Sequence, residues 1–340
     1  MGKSIALRFL VIGILVVLLV KVGVERGTSA AAPPTPSAPP SPHQRVGIYL
    51  GSYALARPGA LDEILARARQ GLLNAVVINV KDDHGEVTYA STVPLARTIA
   101  ATTGRLDLAT LLPILKKNGI YLIARQVVFD DAKLAAYLKS PQAPWVLPTD
   151  ERVVSYNLEI ANEVASLGFD EIQFDYIRYP DGGGLGPGYA DRFAAIDRFV
   201  ERAQALLAGR VLLSADLFGR VMWDWNRKRT DPIGQSLEDM AGHMDLLSPM
   251  LYPSHYSEQV YKTNPYRVVK DALAAGKARV TTPFRPFLQA FDMAIPSGMT
   301  LEAYIRAQVK AAQEAGADGY LFWNPSAEYS ALYRALEQTP

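Results

Sequence analysis

The 340-residue chain contains no cysteine, which excludes disulfides, thiolate metal sites and a cysteine nucleophile. Histidine is scarce. His43, His84, His243 and His255 make neither an HxH nor an HExxH pair, which argues against a histidine-rich metal centre. Charge of one sign is lacking too: the formal net charge of +1 leaves no footprint for a polyanion, and nucleic acid is not an expected partner. No metal or other cofactor is expected. The apolar run near the N-terminus, Phe9 to Val20, stops at Lys21, short of the roughly twenty residues that a membrane span needs.

That run comes after Lys3 and Arg8, and Thr28-Ser29-Ala30 offers small residues for cleavage. Residues 1–29 therefore read as a signal peptide or an uncleaved N-terminal membrane anchor. Either device exports the remainder of the chain and limits membrane contact to this segment, so the protein is expected outside the cytoplasm, tethered or secreted. Residues 30–44, rich in Pro, Ala and Ser, read as an extended, disordered linker. Nothing in the sequence bears on the oligomeric state.

From Arg45 onward, apolar runs alternate with amphipathic helical stretches eight times. The strands are predicted at 46–50, 75–80, 120–124, 171–176, 211–216, 245–252, 279–284 and 319–323. Helices are predicted at 60–70, 106–118, 156–167, 189–208, 236–243, 265–275, 300–315 and 326–337. Eight such units predict a parallel sheet closed into a (β/α)8 TIM barrel over residues 45–340. A doubly wound sheet would want a Gly-rich turn after its first strand, where the chain has Gly51-Ser52-Tyr53-Ala54. Gly119, Gly168 and Gly316, each just before a strand, read as helix C-caps.

The segment Phe169 to Pro180 is the most informative. Ile172 and Phe174 alternate with Gln173 and Asp175, and Tyr176, Arg178 and Tyr179 come next. An acid at the C-terminal end of a barrel strand, with Arg and Tyr behind it, suggests chemistry on a polyhydroxylated substrate. The same parity puts Asn79, Lys81 and Asp83 on one face of the second strand and Ser214 and Asp216 on one face of the fifth. One inward Asp can be structural; three unpaired carboxylates at strand ends would be costly unless used. Further substrate-binding candidates sit after the strands: Asp82, Arg125, Arg178, Tyr179, Tyr252, His255, Arg285, Gln289, Trp323 and Asn324, with Trp223, Trp225 and Tyr256 beside them. Aromatic faces stack on sugars, and Arg, Asn and Gln bond hydroxyls. Trp145 and Tyr329 read instead as aromatics that pack on loops.

Five segments, in order, carry a resemblance: Val80 to Val87, Ala124 to Asp130, Gly168 to Pro180, Leu247 to Tyr256 and Pro283 to Phe291. On them the chain resembles a bacterial family of glycosyl hydrolase domains, related in sequence style to α-amylase-type glycosidases. The resemblance implies hydrolysis of a glycosidic bond by two carboxylates, in a cell-envelope or extracellular polysaccharide or oligosaccharide. It implies Asp175 as nucleophile and Asp216 as acid/base. Amylase-type relatives have Glu at the second place, which leaves Asp82, Asp83 and Glu86 as further candidates for the acid. A rival of a different class is a non-catalytic carbohydrate-binding or envelope scaffold on a degenerate barrel. It predicts that the aromatic and Arg residues matter while the carboxylates are dispensable. A phosphate-binding barrel is the weaker rival, because Phe284-Arg285-Pro286 and Trp323-Asn324-Pro325 lack a Gly-rich anion cradle.

Overall fold

The computed structural model describes residues 43–182 and 188–338; the predicted targeting segment and nearly all of the linker lie outside them. Eight strands alternate with eight principal helices: β1 (Arg45–Leu50), α1 (Ala60–Arg69), β2 (Ala75–Lys81), α2 (Leu108–Lys117), β3 (Tyr121–Val127), α3 (Glu151–Val164), β4 (Glu171–Asp175) and α4 (Tyr189–Leu207) form the first half. The second half is β5 (Leu212–Phe218), α5 (Leu237–His243), β6 (Leu246–Met250), α6 (Pro265–Lys277), β7 (Phe287–Gln289), α7 (Leu301–Glu314), β8 (Gly319–Trp323) and α8 (Ser330–Glu337). Each strand pairs in parallel with the next, and β8 pairs with β1, so the sheet closes into the predicted (β/α)8 barrel. Among the described residues, no helix is long and apolar enough to cross a membrane.

The helices form where apolar spacing and caps agree. In α3, Val153, Val154, Ile160 and Val164 are buried, while Asp150 caps the start by accepting from the Arg152 amide. Gly119 and Gly316 hold positive φ directly after the C-caps of α2 and α7, as the C-cap reading requires; Gly168 also has positive φ but lies three residues beyond the Ala165 C-cap of α3, in the turn that leads to β4. Outward-facing Val76, Ile78, Leu122, Ile172 and Phe174 pack in the sheet–helix layer. Inward-facing Ala75, Val77, Tyr121, Ile123, Phe287 and Leu321 fill the barrel. Gly47 belongs to this inner packing: a Cβ there would lie 2.9 Å from the Leu321 side chain.

The floor of the barrel is polar. Glu171 accepts from Tyr121 Oη at 3.0 Å and Ser214 Oγ at 2.5 Å, and it pairs with Arg285. Both ions are fully buried. This corrects the expectation that Arg285 contacts substrate. The predicted seventh strand, 279–284, lies too early in the chain. Near Pro283 to Arg285 the backbone does bond to β6, through Leu247 N–H to Pro283 O and Arg285 N–H to Leu247 O. Pro286 has no N–H to continue the ladder, and the regular strand begins at Phe287. Arg285 therefore precedes β7 and sits at the N-terminal end of the barrel, opposite the mouth.

Breaking a buried pair leaves an uncompensated charge, so Arg285→Met should lower unfolding stability by about 3–5 kcal/mol. Urea unfolding measures this. A neutral effect on stability with a selective loss of glycan binding would return Arg285 to the site.

Candidate active site

The C-terminal ends of the strands enclose a cavity of about 880 Å3. Among its lining are Asp83, Arg125, Asp175, Arg178, Asp216, Tyr252, His255 and Trp323, all predicted from sequence, and also Trp223, Trp225 and Tyr256. The register explains the convergence. Asp175 pairs with Val127 across β3–β4, and Asp216 with Ser248 across β5–β6, so inward parity brings both carboxylates to one level of the mouth. Strand β3 runs further than predicted, to Val127, and Arg125 is an inward strand residue rather than a loop residue.

Arg125 organises the centre. Its Nε and Nη2 donate to Asp175 Oδ2 at 2.9 and 2.5 Å, and its Nη1 to Asn79 Oδ1 at 2.7 Å. Tyr49 lies beneath, its ring 5.3 Å from the guanidinium. The other Asp175 oxygen accepts the Tyr176 amide at 2.6 Å. Tyr176 takes a left-handed φ of 51° to deliver that amide, a conformation that costs a non-glycine residue about 1–3 kcal/mol. Its phenol, pushed up to about 12 chiefly by burial and then by Asp175, stays protonated as a donor.

Asp216 is 2% exposed and lies beside Asp175, one residue beyond the Phe174–Ala215 pair of β4 and β5. Burial, and then the Asp175 charge, raise its carboxyl well above the usual range. Two carboxylates in contact cannot both ionise. Arg125 touches Asp175 directly but stands 3.9 Å from Asp216, so the shared proton belongs to Asp216. One acid is charged and its neighbour neutral. Burial lowers His255, which leaves its imidazole neutral near pH 7.

The walls are aromatic. Tyr252 stacks on Trp323 at 5.5 Å, and Trp223 stacks on Tyr261 at 5.3 Å. Gly219 lets Tyr256 approach: a Cβ there would meet Tyr256 Oη at 2.3 Å. Trp145 packs on the loop after β4, as expected, against Tyr176 and the Arg178 guanidinium.

Several predicted residues lie outside the lining. Asp82 accepts the His84 and Glu86 amides and holds the turn after β2. Glu86 pairs with Arg105 at 2.7 Å. Of the alternative acids, Asp83 is the one that lines the cavity. Lys81 leaves the inward face at an irregularity in the β2–β3 register and pairs, fully buried, with Asp131 at 2.8 Å. Tyr179 is buried in the outer core beneath Arg192. Gln289 accepts from Tyr304 and donates to the Phe291 and Met293 carbonyls. Asn324 donates to the Ala290 and Glu328 carbonyls and shapes the loop after β8. Sequence reading missed Tyr49, Phe218, Asp181, Arg220 and Phe287 as lining residues. The signal for Tyr49 was its inward parity with Arg45 and Gly47; Asp181 and Arg220 are brought together by loops. Among the described residues, no group of three acids or histidines is placed to hold a metal ion.

A closed barrel with paired carboxylates in an aromatic-walled mouth has the makings of a glycoside hydrolase. The match to the family described as "Putative glycosyl hydrolase domain" spans residues 47–329, and the chain belongs to that family. The barrel is similar to the PgaB (BpsB) glycoside hydrolase domain from Bordetella bronchiseptica, with 16% identity, 88% of this chain and 100% of that one covered, and a TM-score of 0.64. It is similar to the endo-β-1,4-mannanase from Thermotoga petrophila, with 12% identity, 88% and 77% covered, and a TM-score of 0.61. For α-L-fucosidase isoenzyme 2 from Paenibacillus thiaminolyticus the figures are 14%, 86% and 48%, and 0.61. These likenesses show the fold. No sequence among the curated proteins matches the chain.

A raised carboxyl makes stability depend on pH. The contribution of neutral Asp216 is complete below the unfolded value, about 3.9, and is lost as pH rises through the higher folded value. Asp216→Asn, neutral throughout, should escape that loss. Urea midpoints measured from about pH 4 upward should therefore shift in favour of the variant as pH rises. A difference that stays constant with pH would contradict the assignment of the proton.

Proposed function

We propose that the chain hydrolyses a glycosidic bond in a cell-envelope or extracellular polysaccharide, with Asp175 and Asp216 as its two carboxyl groups. The observation that carries this reading is the placement of the pair: Asp175, held by Arg125, stands beside the buried Asp216, whose carboxyl burial and the neighbouring charge push up. A glycosidase needs one ionised group beside the anomeric carbon and one protonated group for the leaving oxygen. Asp175 is the nucleophile or charge stabiliser; Asp216 supplies the proton. A retaining pair stands about 5–5.5 Å apart and an inverting pair about 6.5–9.5 Å apart around a water, so substrate must part the two acids in either case. Tyr252, Trp323, Trp223 and Trp225 supply stacking faces for the sugars. Residues 1–29 would carry the barrel out of the cytoplasm.

The test is Asp175→Asn on a panel of glycans. Turnover should fall by more than about a thousandfold, while unfolding stability and glycan affinity stay close to those of the parent. Wild-type turnover in the variant would remove Asp175 from catalysis. Binding of several glycans by the parent with cleavage of none would favour the scaffold reading. Export has a separate test. Without Phe9 to Val20, fractionation should find the protein in the cytoplasm; continued export would contradict the targeting role.

A further inference from the structure

Three buried or half-buried arginines line the cavity and a fourth sits in the floor ion pair, and three of these four answer a carboxylate. Arg125 holds Asp175, Arg220 holds Asp181 and Asp231, and Arg285 holds Glu171. Arg178 is the exception. It is 8% exposed and lines the cavity, yet among the described residues its one hydrogen bond runs from Nη1 to its neighbour's carbonyl, Tyr179 O, at 3.1 Å. Aromatic rings cover the guanidinium: Phe218 at 4.3 Å, Trp145 at 4.7 Å and Tyr176 at 4.8 Å. Stacking and the Nη1 bond fix its plane, and among the described residues the Nε–Nη2 edge meets no hydrogen-bond acceptor.

A cation this deeply buried without a counter-ion is costly. Burial also lowers its affinity for its own proton, the more so without a carboxylate in contact. The surrounding acids relieve it only through space, and burial outweighs them. Asp175 and Asp181 are engaged by Arg125 and Arg220, and Asp130 lies beyond ion-pair distance. Two parallel N–H groups in a fixed plane fit the two oxygens of a planar carboxylate.

We propose that Arg178 anchors an acidic-sugar subsite, so that the glycan this cleft takes carries a carboxylate on a residue bound beside Asp175. The proposal rests on the reading of the cavity as a glycan site and narrows its substrate to acidic glycans. The bland alternative, an arginine that merely braces three rings, requires no ligand preference.

The test is calorimetric titration of the full chain with three pairs of probes: glucuronate and glucose, galacturonate and galactose, N-acetylmuramate and N-acetylglucosamine. At least one acid should bind at least tenfold more tightly than its neutral counterpart. Arg178→Gln should abolish that preference, and Arg178→Lys, which keeps charge without the fork, should retain part of it. Should Arg178→Gln fail to fold, the wild-type preference and the Lys variant decide. No preference in any pair, or a preference that survives in Arg178→Gln, overturns the proposal. Glucose 6-phosphate binding as tightly as glucuronate overturns the carboxylate assignment. Binding needs no turnover, so the outcome is separable from catalysis. A chain that binds acids but cuts nothing keeps this subsite and loses the hydrolase reading; one that cuts neutral glycans without preference does the reverse.

Discussion

The contact between Arg125 and one oxygen of Asp175 sets the chemistry of the barrel mouth. It decides which of two touching carboxyl groups carries charge. Without it, the Asp175–Asp216 pair would share a proton with no preference of place. With it, Asp175 has a cation in contact, while burial and the neighbouring charge push the Asp216 carboxyl up. The cost of burying Arg125 is met by its partners, Asp175, Asn79 and the Tyr49 ring, all contributed by strands rather than loops. Placement on strands fixes the geometry before a substrate arrives, which is what electrostatic catalysis asks of a site.

The same logic runs through the barrel in layers. At the floor, Glu171 and Arg285 close an ion pair that no ligand reaches, roofed by the apolar layer of Val77, Ile123, Phe287 and Leu321. At the mouth, ions face a cavity and one of them, Arg178, lacks a carboxylate partner among the described residues. Buried charge at the closed end serves the fold; at the open end it either closes on itself, as in Lys81–Asp131, or faces the cavity, as Arg178 does.

Much of this was legible in the sequence because parity is strict. Inward alternation on Gln173 and Asp175, and on Ser214 and Asp216, places both acids without any tertiary information. Gly119 and Gly316, at positive φ, marked where helices end. What failed was register along the chain. Val280 to Phe284 has the β-branched and apolar residues of a strand, but Pro286 interrupts the hydrogen-bond ladder and moves β7 beyond it. Arg285 thereby changes ends of the barrel. Tyr179 and Asn324 were right in chemistry and wrong in direction, because side chains in the loops after strands obey no parity; Gln289 ends β7, and its amide is held by Tyr304 and by the Phe291 and Met293 carbonyls. The stacking of Trp145 on Arg178 was invisible: nothing local links it to Arg178, which lies on a different βα unit.

The central claim is the charge state of the acid pair, and infrared spectroscopy of isotopically labelled aspartate reads it most directly. At neutral pH the wild-type protein should show the carbonyl band of a protonated, buried carboxyl group, and Asp216→Asn should remove that band. Absence of the band from the wild type, or its persistence in Asp216→Asn with loss in Asp175→Asn, would contradict the account.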